Sequence, residues 1–298
     1  MRGEGADTSG FAPGKLILSG EHAVVYGHRA VAAAVSLGTT VTLRRRPGPS
    51  AIDDSPIADH RLWPALATLL PGKGVGVTIR STLPVGCGMG SSAALAVATI
   101  RALHGVNLPF STVDELAFGV ERVFHGNPSG IDHAVSALGG VLAYRRGQTP
   151  ESIDLPRPLH LVVVDTGSPG DTAAMVAGVR ARGRHDLLDA IGALAERVIA
   201  GLAAGDDCGG LFDENQRLLA ELGVSTPALD QACAALRRAG AKGAKLAGAG
   251  GGGVAFGVVD DAERTLAELR GFRAFALSIY SRSQLPTPAH VMSQSGHS

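Results

Sequence analysis

PVGCGMGSSAA, at residues 84–94, joins a glycine-rich loop to the start of a helix. Three glycines alternate with other residues after a strand predicted at 75–81, and a run of small and apolar residues typical of a helix begins at Ser91. Glycine allows positive φ, so that backbone N–H groups can approach an anion, and the positive end of the helix dipole adds to the attraction. The pattern indicates a phosphate-binding loop, here called the first glycine loop; a tight turn followed by an N-cap is the structural alternative.

The first glycine loop matches neither of the two most familiar nucleotide-binding patterns. A Walker loop needs Gly-Lys-Ser/Thr, and this loop has no lysine. A Rossmann fingerprint needs an acidic residue about 20 positions further on at the end of a strand, and residues 110–113 contain none. Ser91 and Ser92 fall in the first turn of the predicted helix, where a hydroxyl either caps the helix or binds a phosphate-bound Mg²⁺.

Two carboxylates are candidates for the chemistry of phosphoryl transfer. Glu121 lies late in a predicted helix and Asp132 just after the turn HGNPSG at 125–130, so a reversal of the chain can direct both into one cavity. One carboxylate of such a pair holds the Mg²⁺ that bridges the β- and γ-phosphates, and the other accepts the proton of the attacking hydroxyl or holds that hydroxyl in line. Two solvated surface acids are the alternative.

Lys15 is one of only four lysines, and it leads into an apolar strand. A partly buried lysine beside Asp132 would stabilise that carboxylate and lower the effective pKa of the substrate hydroxyl. The alternative is a lysine whose stem packs while its head reaches water. The neighbouring segment GEHAVVYG at 20–27 adds Glu21 and His22, which either bind a polar substrate or stabilise a turn.

A second glycine tract, KLAGAGGGGVAF at 245–256, has five glycines between 248 and 253 and leads into an apolar strand. So many glycines in a short segment favour a backbone that lies close to another group, and two glycine loops can line one phosphate site together. A flexible hairpin is the alternative. The segment DTGSPGDT at 165–172 follows a strand and begins a helix, with hydroxyls suited to a substrate carboxylate or to an N-cap.

The composition excludes several classes of protein. With 45% apolar and 18% charged residues, a chain of 298 residues should form a compact fold of two α+β lobes, with a boundary in the polar stretch 147–158. The 27 basic residues balance the 27 acidic ones, so we expect a small-molecule partner and neither a nucleic acid nor a membrane, and no apolar run is long enough to span a bilayer. Three scattered cysteines argue against a disulfide framework or a zinc cluster and favour a reducing, cytoplasmic location.

Residue periodicity predicts the individual elements. Strands are predicted after the second glycine tract and at 15–18, 30–43, 75–81, 140–145, 159–165 and 273–280. Helices are predicted at 61–70, 91–103, 111–124, 129–137, 171–204, 211–222 and 227–239. Ser111 is the predicted cap of its helix, and the ends at 1–10 and 281–298 are predicted to be tails, the second of them unstructured.

Three segments together resemble the motifs of the GHMP kinase superfamily. APGKLILSGEHAVVYG at 12–27 is similar to the first motif, PVGCGMGSSAA to the second and KLAGAGGGG to the third, and the likeness runs from about residue 12 to about residue 280. HGNPSGID at 125–132 resembles the signature of the mevalonate kinase branch. The resemblance implies an α+β, two-lobed fold, with an N-terminal lobe at 11–157 of ribosomal-protein-like β/α type and a C-terminal lobe at 158–280 that is a ferredoxin-like α/β sandwich.

The same resemblance implies an enzyme that uses ATP and Mg²⁺ to phosphorylate the primary hydroxyl of mevalonate, in cytoplasmic isoprenoid synthesis, and it is compatible with a homodimer. It implies that Asp132 pairs with the substrate hydroxyl, that Lys15 is its cationic neighbour, and that the Mg²⁺ ligands are Ser92 and Glu121. The implied nucleotide-binding residues are Ser81, Gly86, Cys87, Gly88, Met89, Gly90, Ser91 and Ser92. The implied substrate residues are Glu21, His22, Asp132, Thr166 and Thr172. Met89 departs from the usual Leu of the loop, and the short segment between the first two motifs leaves the adenine contacts unassigned.

Other members of the superfamily remain alternatives, namely a phosphomevalonate, homoserine or sugar kinase. Galactokinases resemble one another through Arg-Asn, and homoserine kinases through Ala-Asn, where this chain has Gly14-Lys15. The intact HGNPSGID disfavours diphosphomevalonate decarboxylase. A non-catalytic nucleotide-binding paralogue should have lost at least one of four residues, and all four are present: Lys15, Ser92, Glu121 and Asp132. A covalent nucleophile at Cys87 is disfavoured, since no His and acid partner lies beside it in the sequence.

Overall fold

The computed structural model describes residues 7–84, 86–126 and 128–284 of the chain. The described chain forms two sheets, each covered by helices. The strands of the first sheet are β1 (Thr8–Ser19), β2 (Ala30–Pro49), β3 (Ala51–Asp54), β4 (Lys73–Ser81), β5 (Val141–Tyr144) and β6 (Glu151–Ile153). They run in the order β3-β4-β2-β5-β6, and β1 pairs with β2. All of these pairs are antiparallel except β3 with β4.

β2 organises the first sheet because it is long enough to pair with three strands. Its first residues pair with β5 and its part from Thr39 onward with β4, while β1 runs antiparallel along much of its length. The register of β1 shifts between Pro13 and Lys15. At this break the backbone N–H of Lys15 donates to the Met89 carbonyl at 2.9 Å, so the strand that carries Lys15 is tied to the first glycine loop.

The helices beside the first sheet are α1 (Leu62–Leu66), α2 (Ser91–His104), α3 (Phe110–His125) and α4 (Ile131–Leu138), and a 3₁₀ turn spans Ala23–Tyr26. α2 is rich in alanine because it packs closely on β1. A Cβ atom at Gly10 would lie only 2.2 Å from the Ala98 carbonyl oxygen. Several alanines of α2 are therefore fully buried, namely Ala93, Ala94, Ala96 and Ala98.

The second sheet has the strands β7 (Leu159–Asp165), β8 (Gly243–Leu246), β9 (Val254–Val258) and β10 (Arg273–Ile279). Its order is β10-β7-β9-β8, with antiparallel pairing throughout. The helices beside it are α5 (Thr172–Arg182), α6 (His185–Ala204), α7 (Gly209–Glu221), α8 (Pro227–Arg238) and α9 (Ala262–Glu268). β8 and β9 enclose the glycines of the second glycine tract, which places that tract at one edge of the sheet.

One hydrophobic core extends from the first sheet into the second. Phe212 on α7 and Phe256 on β9 pack edge to face with ring centroids 5.4 Å apart, in the same buried cluster as Leu16 of β1. Two smaller cores lie under the helices of the second sheet and around α4. The two sheets are thus packed together, and the loops at their junction have fixed positions relative to one another.

The structure confirms most predicted strands and helices, with ends that differ by a few residues. The strand predicted at 15–18 is longer, since β1 begins at Thr8, and the helix predicted at 61–70 is shorter, at Leu62–Leu66. The helical stretch predicted at 171–204 is two helices in the structure. α5 ends at Arg182, its C-cap residue Gly183 has a left-handed φ of 62°, and α6 begins at His185.

Four elements were absent from the sequence predictions, namely β3, β6, β8 and α9. The three strands are three or four residues long and are held by pairing with distant segments, so local periodicity gives them little signal. The predicted cap at Ser111 is also wrong. α3 begins at Phe110 with Pro109 at the N-cap position and without a side-chain cap bond.

The polar stretch 147–158 contains β6, which pairs with β5 in the first sheet, and β7 of the second sheet begins at Leu159. A lobe boundary at 157 stays a prediction. Within the predicted tails, β1 includes Thr8 to Gly10 and a 3₁₀ turn spans Arg282–Gln284, while residues 1–6 and 285–298 lie outside the described residues. In the described ranges, no helix combines the length and apolar character that crossing a membrane requires.

Candidate active site

A cavity of about 610 Å³ lies where the two parts of the fold meet. Its wall includes the end of β1, the first glycine loop, α3, the start of α4, α5 and the second glycine tract. A volume of this size is in the range of small-molecule and nucleotide sites. Most of the residues that the sequence singled out are therefore brought to one place from six separate segments.

The first glycine loop has the backbone geometry of an anion cradle. Gly86, Gly88 and Gly90 have φ values of 74°, 74° and 75°, a left-handed conformation that other residues rarely adopt. Gly90 is the N-cap residue of α2, and no side chain caps this helix. The first N–H groups of α2 and its positive dipole end are thus available to an anion, and the alternative of a helix capped by Ser91 or Ser92 is excluded.

Lys15 joins the first glycine loop to the catalytic candidate Asp132. Its Nζ donates to the Gly88 carbonyl at 3.1 Å and lies 3.2 Å from Asp132 Oδ1. The residue is only 3% exposed, so the alternative of a lysine whose head reaches water is wrong. A cation held by both groups cannot leave the site, and it stabilises negative charge at Asp132 and at a phosphate bound beside the loop.

Asp132 lies in the first turn of α4 and opens into the cavity. Gly130 precedes the helix with φ 94°, and the Tyr144 hydroxyl donates to the Ser129 carbonyl at 2.8 Å, so the turn before the helix is anchored to β5. The Asp132 side chain is 28% exposed. It is therefore fixed by its neighbours and accessible to a ligand.

Glu121 is buried beside Asp132, and Oε1 has no hydrogen-bond partner among the described residues. Burial, and secondly the charge of Asp132, raises the pKa of Glu121 to about 8, while the Ser92 hydroxyl and Lys15 oppose that change. The Ser92 hydroxyl also lies 3.1 Å from His125 Nε2. Burying a carboxylate oxygen without a partner is costly, so this position favours a ligand that binds oxygen.

The oxygen donors beside the first glycine loop fit Mg²⁺. This ion is held in proteins by one or two side-chain oxygens together with phosphate and water, and Glu121 with Ser92 supplies such a set. Over the described ranges, no group of three or more His, Cys, Asp or Glu side chains could hold a metal by itself. The geometry thus suits a cation that arrives with a nucleotide.

The second glycine tract packs directly on the first glycine loop. A Cβ atom at Gly253 would lie 2.8 Å from the Cys87 carbonyl oxygen, and one at Gly248 would lie 3.5 Å from that of Gly88. Both glycines have positive φ. The two loops therefore lie together at one site, and the tract is not a free hairpin.

Glu21 and His22 also lie on the cavity wall. His22 Nε2 donates to the Ala249 carbonyl at 2.9 Å, and His22 has a φ of 62°, an uncommon value for a residue with a side chain. Glu21 forms a buried ion pair with Lys245 of β8. Sequence reasoning did not identify Lys245, although a lysine in an apolar strand beside the glycine tract was a usable signal.

Some predicted site residues do not face the cavity. Thr172 lines it, but the lining does not include Thr166, whose hydroxyl donates to the Gly253 carbonyl at 2.7 Å. Ser81 lies beside a separate cleft of about 410 Å³, with its hydroxyl 3.2 Å from that of Thr39. Thr166 therefore supports the second glycine tract, and Ser81 lies outside the cavity lining.

Cys87 and Met89 bring backbone, not side chains, to the loop, since both side chains are buried. The Cys87 thiol donates to Asp165 Oδ1 at 3.4 Å, and burial raises its pKa to about 12. A thiol with that pKa is protonated at neutral pH, which agrees with the rejection of Cys87 as a nucleophile.

Comparison with known proteins identifies the family. The family model for the GHMP kinases N terminal domain matches residues 60–140, and the model for the GHMP kinases C terminal domain matches residues 202–273. A mevalonate kinase of Thermococcus sibiricus is 37% identical over 302 aligned positions, which cover 86% of this chain and 90% of that protein. The chain belongs to the GHMP kinase family.

Solved GHMP kinases share the fold over nearly the whole chain. The structure of Leishmania major mevalonate kinase in complex with R-mevalonate gives a TM-score of 0.79 at 27% identity, covering 93% of this chain and 96% of that one. The Methanococcus jannaschii mevalonate kinase gives 0.78 at 26% identity, covering 94% and 100%. The expected two-part α+β architecture of a GHMP kinase is thus confirmed.

Two arginines of this GHMP kinase were missed in the sequence. Arg61 is held by Asp59 at 2.7 Å and donates to the Phe124 carbonyl at 2.8 Å, so it forms part of the wall with its charge already paired. Arg180 on α5 lines the cavity as well, and within the described chain it has neither an ion pair nor a side-chain hydrogen bond. Its sequence context, an arginine in an exposed helix, gives no local signal of a site.

Proposed function

We propose that the protein is a mevalonate kinase, which transfers the γ-phosphate of ATP to the primary hydroxyl of mevalonate and yields 5-phosphomevalonate and ADP. Curated relatives named mevalonate kinase support this, at 33–37% identity over 83–86% of the chain. The observation that carries the proposal is the Lys15 ammonium, which contacts both the Gly88 carbonyl of the first glycine loop and Asp132. The γ-phosphate of ATP and the acceptor hydroxyl of mevalonate would therefore both bind next to the Lys15 ammonium.

The nucleotide phosphates would bind where the first glycine loop meets α2. The left-handed glycines and the uncapped N-terminus of α2 direct backbone N–H groups at the anion. Phosphoryl transfer needs little covalent participation by the enzyme, because its transition state is loose and its charge is spread over the transferred oxygens. Positioning and electrostatic stabilisation by the two glycine loops would supply most of the rate.

Ser92 and Glu121 would hold Mg²⁺ when the nucleotide binds. When bound, the cation would neutralise part of the charge on the β- and γ-phosphates. Glu121 would contribute Oε1, which otherwise lacks a partner in the described structure, and Ser92 its hydroxyl. His125 lies within hydrogen-bond distance of Ser92 and would orient that hydroxyl.

Asp132 and Lys15 would prepare the attacking hydroxyl. The Asp132 carboxylate accepts the hydrogen bond of the primary hydroxyl and takes its proton as the oxygen–phosphorus bond forms. Lys15 holds this carboxylate in place through their ion pair and stabilises the developing charge on the attacking oxygen. Both side chains are fixed before substrate binds, so little reorganisation is needed.

The carboxylate of mevalonate would be bound by Arg180. Lys15 is paired with Asp132 and Arg61 with Asp59, whereas Arg180 has no partner in the part of the chain described. An unpaired arginine at the wall suits an acidic substrate better than a neutral sugar. Glu21, His22 and Thr172 would surround the rest of the substrate, and Thr166 would act only through its bond to Gly253.

Purified protein with Mg²⁺-ATP tests the proposal through ADP release in the presence of mevalonate, phosphomevalonate, homoserine or galactose. We expect turnover with mevalonate and a phosphate on its primary hydroxyl by ³¹P and ¹³C NMR. Turnover with another of these alcohols alone would overturn the substrate assignment and retain the phosphoryl chemistry. The absence of ADP release with all four alcohols would favour a non-catalytic nucleotide-binding protein, and calorimetry would then test whether it binds ATP.

The proposed function also bears on the location of the protein in the cell and on its oligomeric state. A pathway kinase acting on two soluble small molecules would work in the cytoplasm, in isoprenoid synthesis. A homodimer stays a prediction, which sedimentation velocity of the full chain tests directly.

A further inference from the structure

A buried ion pair lies behind the substrate side of the cavity. Lys245 of β8 is fully buried and Glu21 is 1% exposed, and the Lys245 ammonium donates to Glu21 Oε1. The same ammonium donates to the Leu246 carbonyl at 2.7 Å and lies 5.2 Å from the centre of the Phe256 ring. The lysine is therefore held on several sides, and its remaining freedom is small.

Only one of the two Glu21 oxygens is used by this pair. Oε2 is buried and has no hydrogen-bond partner among the described residues, although Glu21 forms part of the cavity wall. A buried carboxylate oxygen without a partner is costly, and such atoms are rare in folded proteins. A ligand that donates a hydrogen bond would remove that cost.

Two further hydrogen bonds hold the segment around Glu21. The Ser19 hydroxyl donates to Asn215 Oδ1 of α7 at 2.5 Å, and His22 donates to the Ala249 carbonyl. These bonds fix the chain on both sides of Glu21 to the second part of the fold. Lys245, in contrast, contacts the Glu21 carboxylate itself.

We propose that Lys245 is a positioning residue, which fixes Oε1 of Glu21 and leaves Oε2 to accept a hydrogen bond from a substrate hydroxyl. The inference rests on the proposed function, and in mevalonate the donor is the tertiary hydroxyl, since the primary hydroxyl is at Asp132. Burial raises the pKa of Glu21, and the Lys245 charge opposes that change. Without Lys245 the carboxylate would take up a proton and lose its orientation.

The test compares the full-length wild type with Lys245→Met, Glu21→Gln and the double variant. Each single change should raise the KM for mevalonate about tenfold or more, with the KM for ATP unchanged within about twofold. The double variant should resemble the more affected single variant, because the two residues act through one hydrogen bond. It also removes both charges together, so it remains measurable if Lys245→Met leaves an unpaired buried carboxylate and does not fold.

Ser19→Ala is the matched control, since it removes another buried bond of the same segment outside the cavity. It should lower the melting temperature and leave both KM values unchanged. An unchanged mevalonate KM in the Lys245→Met or double variant, or an equal rise for ATP, would overturn the inference. Failure of the wild type to phosphorylate mevalonate would instead overturn the proposed function, so the two failures are distinguishable.

Discussion

Lys15 Nζ lies 3.2 Å from Asp132 Oδ1, although the two residues belong to β1 and α4. The same nitrogen contacts the Gly88 carbonyl, so one buried cation connects the acceptor side and the phosphate side of the site. The register of β1 shifts between Pro13 and Lys15, and the Lys15 backbone N–H donates to the Met89 carbonyl there, which also ties the strand to the first glycine loop. The contact is the basis of the predictions about catalysis.

Lys15→Met should lower kcat by about 10²-fold or more, because removing a preorganised donor from a developing charge has an effect of that order. Methionine keeps the length and packing of the side chain. Steady-state kinetics with saturating ATP and mevalonate gives the value. Lys73→Met is the control, since Lys73 is an exposed lysine of β4; equal kinetics in the two variants would refute the role of Lys15.

Glu121→Gln should raise the concentration of free Mg²⁺ needed for half-maximal rate by about tenfold or more, since the amide is a weaker ligand than a carboxylate. Without Mg²⁺ its melting temperature should equal or exceed that of the wild type, because a buried carboxylate with one unpartnered oxygen is replaced by a neutral amide. Glu115→Gln on the exposed face of α3 is the control. A lower melting temperature with an unchanged Mg²⁺ requirement would mean that Glu121 is only structural.

Arg180→Gln should raise the KM for mevalonate about tenfold, because a charge-assisted bond to the substrate carboxylate is lost. The triol obtained by reducing that carboxylate to an alcohol should be phosphorylated equally by the variant and the wild type. Arg197→Gln, which alters an arginine already paired with Glu214, is the control. A parallel loss with acid and triol would assign Arg180 to general stability.

The three cysteines form no disulfide and should react slowly with thiol reagents in the folded protein. All are buried, and burial raises the pKa of Cys87 and Cys233 to about 12 and of Cys208 to about 11. These raised values stabilise the folded state below the unfolded thiol pKa of 9.0, and that contribution is lost as pH rises toward 12. Rapid labelling at pH 7 without denaturant would contradict the burial.

The sequence was most informative where function is encoded locally. The first glycine loop, the turn before Asp132 and the second glycine tract each have a pattern that predicts backbone conformation, and the structure brings all three together. The partnership of Lys15 with Asp132 could be proposed because both lie in motifs. It could not be measured from the sequence, since their distance depends on the register of β1 and on the packing of α4.

Residues whose role depends on distant partners were harder to find. Lys245 pairs with the carboxylate of Glu21, which follows β1 and is far from Lys245 in the sequence. Arg180 is notable because its side chain has no partner in the described chain. Neither feature can be recognised from the neighbouring sequence. Thr166 lies in a segment whose hydroxyls suit a substrate carboxylate or an N-cap, and in the structure its hydroxyl donates to the Gly253 carbonyl. Its contact with the substrate stays a prediction. Long-range packing decides such cases.

Asp132→Asn in full-length protein tests whether Asp132 receives the proton of the acceptor hydroxyl, through kcat with mevalonate and the Kd of a non-hydrolysable ATP analogue with Mg²⁺. The amide keeps the size of the side chain and removes its ability to take the hydroxyl proton, so kcat should fall by about 10²–10⁴-fold, with the nucleotide Kd unchanged within about twofold. Asp186→Asn, an exposed carboxylate outside the cavity lining, should behave as wild type. Full mevalonate turnover in Asp132→Asn would contradict the proposed mechanism.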